Sequence, residues 1–393
     1  MRIASADIYD VDLHPHGMGL NPVILRLVTD QGICGVGELA LAYGTGSKAA
    51  VGMLKQMVER FVLGADPKRI EEMWQTLYRR TFWGQGGGPV VYGGISAIHE
   101  ALWDIKGKAL NQPICELLGG KTNDKIRLYA NGWSNRRDEN GRMRCVTPEM
   151  YSSVVQEVVA DGYDALKFDP FYINPQGKSW YPGRLLSREM RDLAYDRIAA
   201  VRDAVGPDVD ILIEVHGNLR TSTAIEMGRR FAELDPYFYE EPVDAMNADC
   251  MLKVSQNVPI PIAAGERLYT RYGFREYIEK QAIDILQPDM GLAGGITEVK
   301  KIAAHAETYD MHVQPHHCAG PISTAASIQL DACITNFCIQ EWRPYADQRA
   351  YDLVEEAFDT QAVDSYLAVP DKPGLGVTLN EEVIGRYPCI HLE

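Results

Sequence analysis

Two hydrophobic rhythms divide the chain. Over residues 1–40, apolar and polar residues alternate in MRIASADIYDVDL and NPVILRLVTD, and DQG joins the second run to ICGVGELA. A period of two marks strands and DQG supplies a turn, so a small antiparallel sheet is predicted. Three segments of helical period follow: SKAAVGMLKQMVERFVLG, DPKRIEEMWQTLYRR and SAIHEALWDIKGKAL. Between the last two lies TFWGQGGGPVVYGG, whose glycine content is too high for an element interior, so a loop is predicted there. ICELLGGK closes this region near residue 121.

Beyond it the rhythm changes. Short apolar runs alternate with amphipathic segments. The runs are IRLYA leading into Asn131, ALKF (165–168), DILIE (210–214), YFYE (237–240), IPIAAGE (260–266), DILQPD (284–289), HVQPH (312–316) and FCIQE (337–341). The helical segments are SSVVQEVVADG, MRDLAYDRIAAVRDAVG, AIEMGRRFAELD, FREYIEKQ, ITEVKKIAAHAETYD and ISTAASIQLDACI. Strand-helix repetition builds a parallel sheet, and eight strands are the number that closes a barrel. An open doubly wound sheet is the second choice. No GxGxxG follows a strand: GQGGGP comes after a helical segment and opens no βαβ unit. No GxxxxGK[ST] is present. The expected fold class is α/β, a modified (β/α)8 barrel over residues 126–365. An α+β domain spans 1–125, and the Pro- and Gly-broken segment 366–393 returns to it. The long stretch 170–187, rich in Tyr, Pro and Gly, is a candidate site loop.

Composition narrows the function. A net charge of −15 argues against a nucleic-acid partner and gives no hint of a membrane surface. No apolar run is long enough to span a bilayer. The first residues alternate like a strand, with no apolar leader, and eight cysteines are scattered without a CxxC. Free thiols in a reducing, cytoplasmic compartment are expected.

The candidate chemistry lies at the ends of six consecutive strands: Glu214, Glu240, Glu266, Asp289, His316 and Glu341, spaced 23 to 27 residues apart. In a barrel these ends ring one mouth, the usual place for a site. Three glutamates cannot all stay ionised side by side without a counter-charge. A hard divalent cation supplies it, and oxygen ligands with room for a bidentate hydroxy acid favour Mg2+ over zinc. His216 stands two residues after Glu214, on the same face of its strand. Glu241 should face away.

Together these motifs resemble the enolase superfamily, in its mandelate racemase/muconate lactonizing enzyme-like branch, and within it the gluconate/galactonate-type sugar-acid dehydratases. The resemblance covers essentially the whole chain, through SAIHEALWDIKGKALNQPICELLGGK, LYANGW, ALKFDPF, ILIEVHG, YEEPV, AAGERL, ILQPDMGLAGGITEVKKIAAHAETYD, VQPHHCAGPI, FCIQE and KPGLGVTLNEE. It implies a capping domain over the barrel. It also implies Mg2+-assisted removal of a proton next to a carboxylate, chemistry for which this superfamily is a standard example. Carried over by position, Glu214, Glu240 and Glu266 match the metal ligands and Asp289 and His316 an Asp–His dyad. Glu341 matches the acid beside the substrate carboxylate, His216 a dehydratase histidine, and Lys167 the first lysine of the racemases' Lys-x-Lys. The second lysine is replaced by Asp169, which removes one base of a two-base racemisation.

The resemblance implies that an aldonate loses its C2 proton to His316, oriented by Asp289, while Lys167 and Glu341 assist at the carboxylate. His216 protonates the departing 3-hydroxyl, and the enol becomes a 2-keto-3-deoxy sugar acid. An aldarate dehydratase, an acid-sugar epimerase or racemase, and a catalytically silent barrel are the alternatives. No second basic cluster is evident for a far carboxylate, although Arg136, Arg137 or Arg184 could fold in from loops. The expected partners are a small acid sugar and further copies of the chain in a homo-oligomer. Structural roles are expected for several neighbours. His317 should turn away from the site, His312 should sit in the barrel or on the surface, and Asp169 could simply hold its loop. Arg267 could brace Glu266, and Trp133 could line the pocket or fill the barrel. His14, His16, Trp83 and Gln85 are candidate specificity residues, and the tract 135–142 is expected to be solvated.

Overall fold

The computed structural model describes residues 1–14, 19–41, 43–179 and 185–393. Three antiparallel strands open the fold: β1 (Ile3–Asp10), β2 (Val23–Thr29) and β3 (Cys34–Leu39). Eight parallel strands follow: β4 (Lys125–Ala130), β5 (Ala165–Phe168), β6 (Asp210–Glu214), β7 (Phe238–Glu240), β8 (Ile262–Ala264), β9 (Ile285–Leu286), β10 (His312–Val313) and β11 (Gln340–Trp342). Each pairs with the next from β4 to β10, β11 pairs back with β4, and a bridge from Val313 to Phe337 joins the remaining seam. This is the modified (β/α) barrel, capped by the first α+β unit. Of the last two strands, β12 (Tyr366–Ala368) runs antiparallel to β4, and β13 (Cys389–Leu392) pairs antiparallel with β1.

One expectation fails in the cap. The glycine-rich segment is a loop only up to residue 87, and a single helix then runs from Gly88 to Leu110. Its glycines are there for contact. A Cβ on Gly93 would lie 2.9 Å from Leu39 Cγ, and one on Gly94 would lie 3.0 Å from Met57 Sδ. On β3, a Cβ on Gly37 would lie 2.0 Å from the Ala97 carbonyl oxygen and one on Gly35 would lie 2.2 Å from that of Ala101. Strand and helix therefore meet backbone to backbone, which overrides glycine's low helix propensity. The helix Ala248–Ser255, capped by Asn247 accepting from Cys250 N, was not evident from periodicity.

The barrel strands are shorter than their apolar runs. Glu214, Glu240 and Glu341 lie within strands, but Glu266, Asp289 and His316 stand two or three residues past theirs. Gly265 at φ 151° and the donor-less Pro288 and Pro315 end those ladders. Inside the barrel, Tyr129, Ala165, Leu212, Phe238, Ala263, Ile285 and Ile339 form a buried apolar plug. Residues two further along a strand share its face, so Asn131, Lys167, Glu214, Glu240 and Glu341 stand directly above the plug.

The cap is fastened to the barrel by polar bonds. Trp74 Nε1 donates to Gly294 O at 3.0 Å and Trp103 Nε1 to Thr297 Oγ1 at 2.8 Å. Glu38, buried on β3, accepts from the backbone of the helix Pro321–Asp331 and the residue before it: Gly320 N at 2.5 Å, Ile322 N at 3.2 Å and Ser323 N at 3.1 Å. Among the described residues no helix is long and apolar enough to cross a membrane.

Candidate active site

Above the plug lies a cavity of about 390 Å3. Its lining includes Lys167, Asp169, Glu214, His216, Glu266, His316 and Glu341. The structure thus brings together the eight candidates for catalysis and metal binding, with Glu240 and Asp289 buried directly behind the wall. Lys167 Nζ is the hub, 2.8 Å from Glu240 Oε2, 3.1 Å from Glu341 Oε1 and 3.3 Å from Glu214 Oε2. Burial opposes its charge, but Glu240 and Glu341 prevail and hold its pKa well above the usual lysine range.

The carboxylates divide by their neighbours. Burial pushes Glu240 upward and the adjacent Glu214 pushes it further, so it is held far above the ordinary range. Glu214 goes the opposite way, because His216 and Lys167 outweigh its burial. The two carboxyl groups contact each other through a hydrogen bond. Glu341 is pulled down to about 2, since Lys167 and His316 outweigh burial.

Two histidines face the cavity. His316 Nδ1 lies 2.7 Å from Asp289 Oδ2, and its Nε2 lies 3.0 Å from Glu266 Oε2. Burial works against its charge, and the acidic groups around it still raise its pKa. His216 Nδ1 lies 2.8 Å from Asp169 Oδ2, with the ring 40% exposed toward the cavity. Its pKa is pushed up to about 10, against burial, by Glu214 and Asp169. His317, the immediate neighbour of His316, turns away as expected. Its Nε2 meets Thr324 Oγ1 at 2.8 Å and its backbone N–H donates to Glu341 Oε2 at 2.7 Å.

A divalent cation fits this donor set. Among the described residues, Asp169, Glu214, Glu240, Glu241, Glu266, Asp289 and Glu341 face only Lys167, Arg267 and Arg343 as permanent cations. Two carboxyl groups are forced into contact, and buried Glu241 Oε1 has no partner among the described residues. Glu214, Glu240 and Glu266 supply the hard oxygens that Mg2+ prefers. The oxygens of this trio are less closely gathered than the donor atoms of His316, Cys318 and Glu341, which among the described residues are the group lying within 4.8 Å of one another. That set includes a soft thiol and a histidine already engaged by Asp289, so the carboxylate trio is the better match for a hard ion.

Several expectations shift. Arg267 does brace Glu266, and it also bonds Glu241. Trp133 is core, packed edge-on against Tyr151 and Phe168. His312 is exposed. His14 pairs with Asp347 at 3.1 Å, Trp83 is 65% exposed, and neither these nor Gln85 lines the cavity. His16 and Arg184 lie outside the described residues. Arg136 bonds Glu157 and Arg137 bonds the Gly141 carbonyl, so neither reaches the cavity. The tract at 135–142 is not wholly solvated, because Asn135 lines the site. Sequence reasoning missed Tyr43, Asn131, Ser134, Cys318 and Arg343, whereas Tyr172 comes from the stretch 170–187 expected to form a site loop. Among the described residues the Arg343 guanidinium has no hydrogen-bond or ion-pair partner. Its signal was available: Arg343 follows Glu341 by two, on the same face.

Residues 149–383 match the family "Enolase C-terminal domain-like", and residues 12–119 match "Mandelate racemase / muconate lactonizing enzyme, N-terminal domain". The chain is 37% identical to a D-gluconate dehydratase of Thermoproteus tenax, over 93% of this chain and 69% of that protein. It is 36% identical to a D-galactonate dehydratase of Xanthomonas axonopodis pv. citri, over 93% and 90%. A crystal structure of a member of the enolase superfamily from Salmonella Typhimurium superposes with a TM-score of 0.93 at 40% identity, covering both chains completely.

Proposed function

Since the chain belongs to the mandelate racemase/muconate lactonizing enzyme branch of the enolase superfamily, we propose that it is a Mg2+-dependent dehydratase of aldonates related to gluconate and galactonate. The observation that carries the reading is the pair of histidines facing one cavity beside a carboxylate cluster. In this reading the imidazole held by Asp289 takes a proton and the one held by Asp169 delivers one.

A divalent cation held by Glu214, Glu240 and Glu266 would withdraw charge from the substrate carboxylate and so acidify its α-proton. Lys167 meets the same carboxylate by charge, and Glu341, itself an acceptor, holds the Lys167 ammonium at 3.1 Å and bonds the substrate carboxylate only through a shared proton. His316 Nε2 takes the proton from C2, with Asp289 holding Nδ1 and stabilising the imidazolium that results. The electron pair left at C2 forms the C2–C3 double bond as the C3–O bond breaks. His216 gives its proton to the departing hydroxyl, which leaves as water. The enol then ketonises to a 2-keto-3-deoxy acid. For His316 to act as a base, Nε2 must give up its contact with Glu266, which the cation would claim, and the proton that its acidic surroundings favour.

Arg343 favours a second reading, an aldarate whose far carboxylate meets that guanidinium. Aldonates remain first because both named relatives act on monoacids. The test is a panel of C5 and C6 aldonates and aldarates incubated with the Mg2+-loaded protein, with 2-keto acid formation as the readout. A higher kcat/KM for glucarate or galactarate than for every aldonate would select the second reading. An inverted C2 centre without keto acid would make the protein an epimerase.

A further inference from the structure

The histidine opposite the Asp289–His316 dyad has a dyad of its own. Asp289 Oδ1 accepts from the N–H two residues ahead, Gly291, at 2.9 Å, and its Oδ2 meets His316 Nδ1 at 2.7 Å. Asp169 repeats the pattern: Oδ1 accepts from Phe171 N at 2.7 Å, and Oδ2 meets His216 Nδ1 at 2.8 Å. In each case one oxygen fixes the carboxylate to its own turn and leaves the other to aim an imidazole. Both aspartates are more than nine-tenths buried, so neither carboxylate is a freely rotating surface group.

The backbone supports this aim. His216 sits at φ 52°, uncommon for a residue other than glycine, and its N–H donates to Glu214 Oε1 at 2.6 Å. The ring is therefore held from two sides, its backbone by Glu214 and its Nδ1 by Asp169. With Nδ1 taken, Nε2 is the nitrogen left to the cavity.

From this paired geometry we propose that Asp169 is a positioning residue for proton delivery: it orients His216 toward the leaving hydroxyl as Asp289 orients His316 toward C2. The inference rests on the dehydratase reading above. It gives a role to the position where Lys-x-Lys racemases carry their second lysine. A carboxylate there cannot be a lysine-type base, but it can hold an acid.

The test compares two rates in the Mg2+-loaded full-length protein, with D-gluconate and D-galactonate in deuterated buffer. Keto acid formation needs both histidines, whereas exchange of the C2 hydrogen needs only His316. Asp169→Asn keeps an oxygen for Phe171 N and turns an amide N–H2 toward His216 Nδ1, so donor meets donor. We expect keto acid formation to fall roughly 10²-fold, within the range of a positioned proton donor. KM and C2 exchange should each stay within about threefold. In a His216→Asn background the same change should cost under about threefold more, because its target is already gone. A loop-holding role predicts instead that exchange and elimination fall together, and full additivity with His216→Asn would also overturn the proposal. Ring-nitrogen NMR of histidine-labelled protein gives a readout without turnover: the His216 Nδ1 signal should move in Asp169→Asn while that of His316 stays. An unmoved His216 signal overturns the proposal. If wild type makes no keto acid from any acid on the panel, the parent reading fails, and this NMR comparison still decides the dyad.

Discussion

Glu38 belongs to the cap, yet its carboxylate closes the start of the helix that follows the His316 loop. Replacing it by glutamine preserves shape and changes only the acceptors. Oε2 serves Ile322 N and Ser323 N, and Oε1 serves Gly320 N. An amide oxygen can keep the first pair, but its N–H2 must then face Gly320 N. One buried N–H loses its partner, which costs about 1–3 kcal/mol. Burial also pushes the Glu38 carboxyl up from 4.5 to about 7, against the pull of the Ser323 and Gly320 N–H groups. Between those two values the folded chain holds a proton that the unfolded chain has released. Stability from this group therefore falls as pH rises through that window, by at most about 3 kcal/mol. The glutamine variant lacks that slope, so its deficit should be largest near pH 5 and narrow toward pH 8. Gly320 is four residues past His316, so a loosened turn should also lower kcat, about tenfold for each 1.4 kcal/mol of lost positioning. Urea unfolding at pH 5 and 8, with kcat on the best panel substrate, measures both effects. Stability within 0.5 kcal/mol of wild type at pH 5, together with unchanged kcat, would refute the role assigned to Glu38.

Three further outcomes are expected. Chelation should abolish turnover and Mg2+ restore it, and Glu240→Gln should retain less metal by elemental analysis; full activity in metal-free protein contradicts the site. His316→Asn should stop both elimination and C2 exchange, while His216→Asn should stop elimination and spare exchange, each blocked step falling about 10²–10⁴-fold; the reverse pattern exchanges their roles. Arg343→Leu should raise KM about 10- to 100-fold with kcat little changed, as loss of a charged hydrogen bond to the substrate predicts; an unaltered KM removes Arg343 from recognition.

The barrel was legible because strand-helix alternation is a long-range rhythm that local irregularity does not erase. The six site residues were legible because each ends an apolar run, even where Pro288 and Pro315 stop the strand early. Tyr43 and Cys318 were not, because a residue that lines a cavity from a loop leaves no periodic trace. Asn131 and Arg343, by contrast, each stand two residues beyond a strand position that faces the barrel interior and were passed over. Asp169 was visible as a departure from Lys-x-Lys, but its partner was not. Only the folded chain puts the turn after β5 beside the end of β6. The helix at Gly88 was misread for a related reason, since glycine content reports backbone freedom and not the close neighbour that uses it.

That neighbour divides the molecule's evolutionary future. Where β3 lies on the helix Gly88–Leu110, Gly35 and Gly37 have carbonyl oxygens where any side chain would begin. A substitution library should be nearly empty at those two positions whatever substrate it is selected on. Tyr43, four residues past the end of β3, lines the cavity and carries no such restriction. Innovation and intolerance thus sit within ten residues of each other on one stretch of chain. New substrate preferences can be explored at the rim without renegotiating the contact that holds the rim in place.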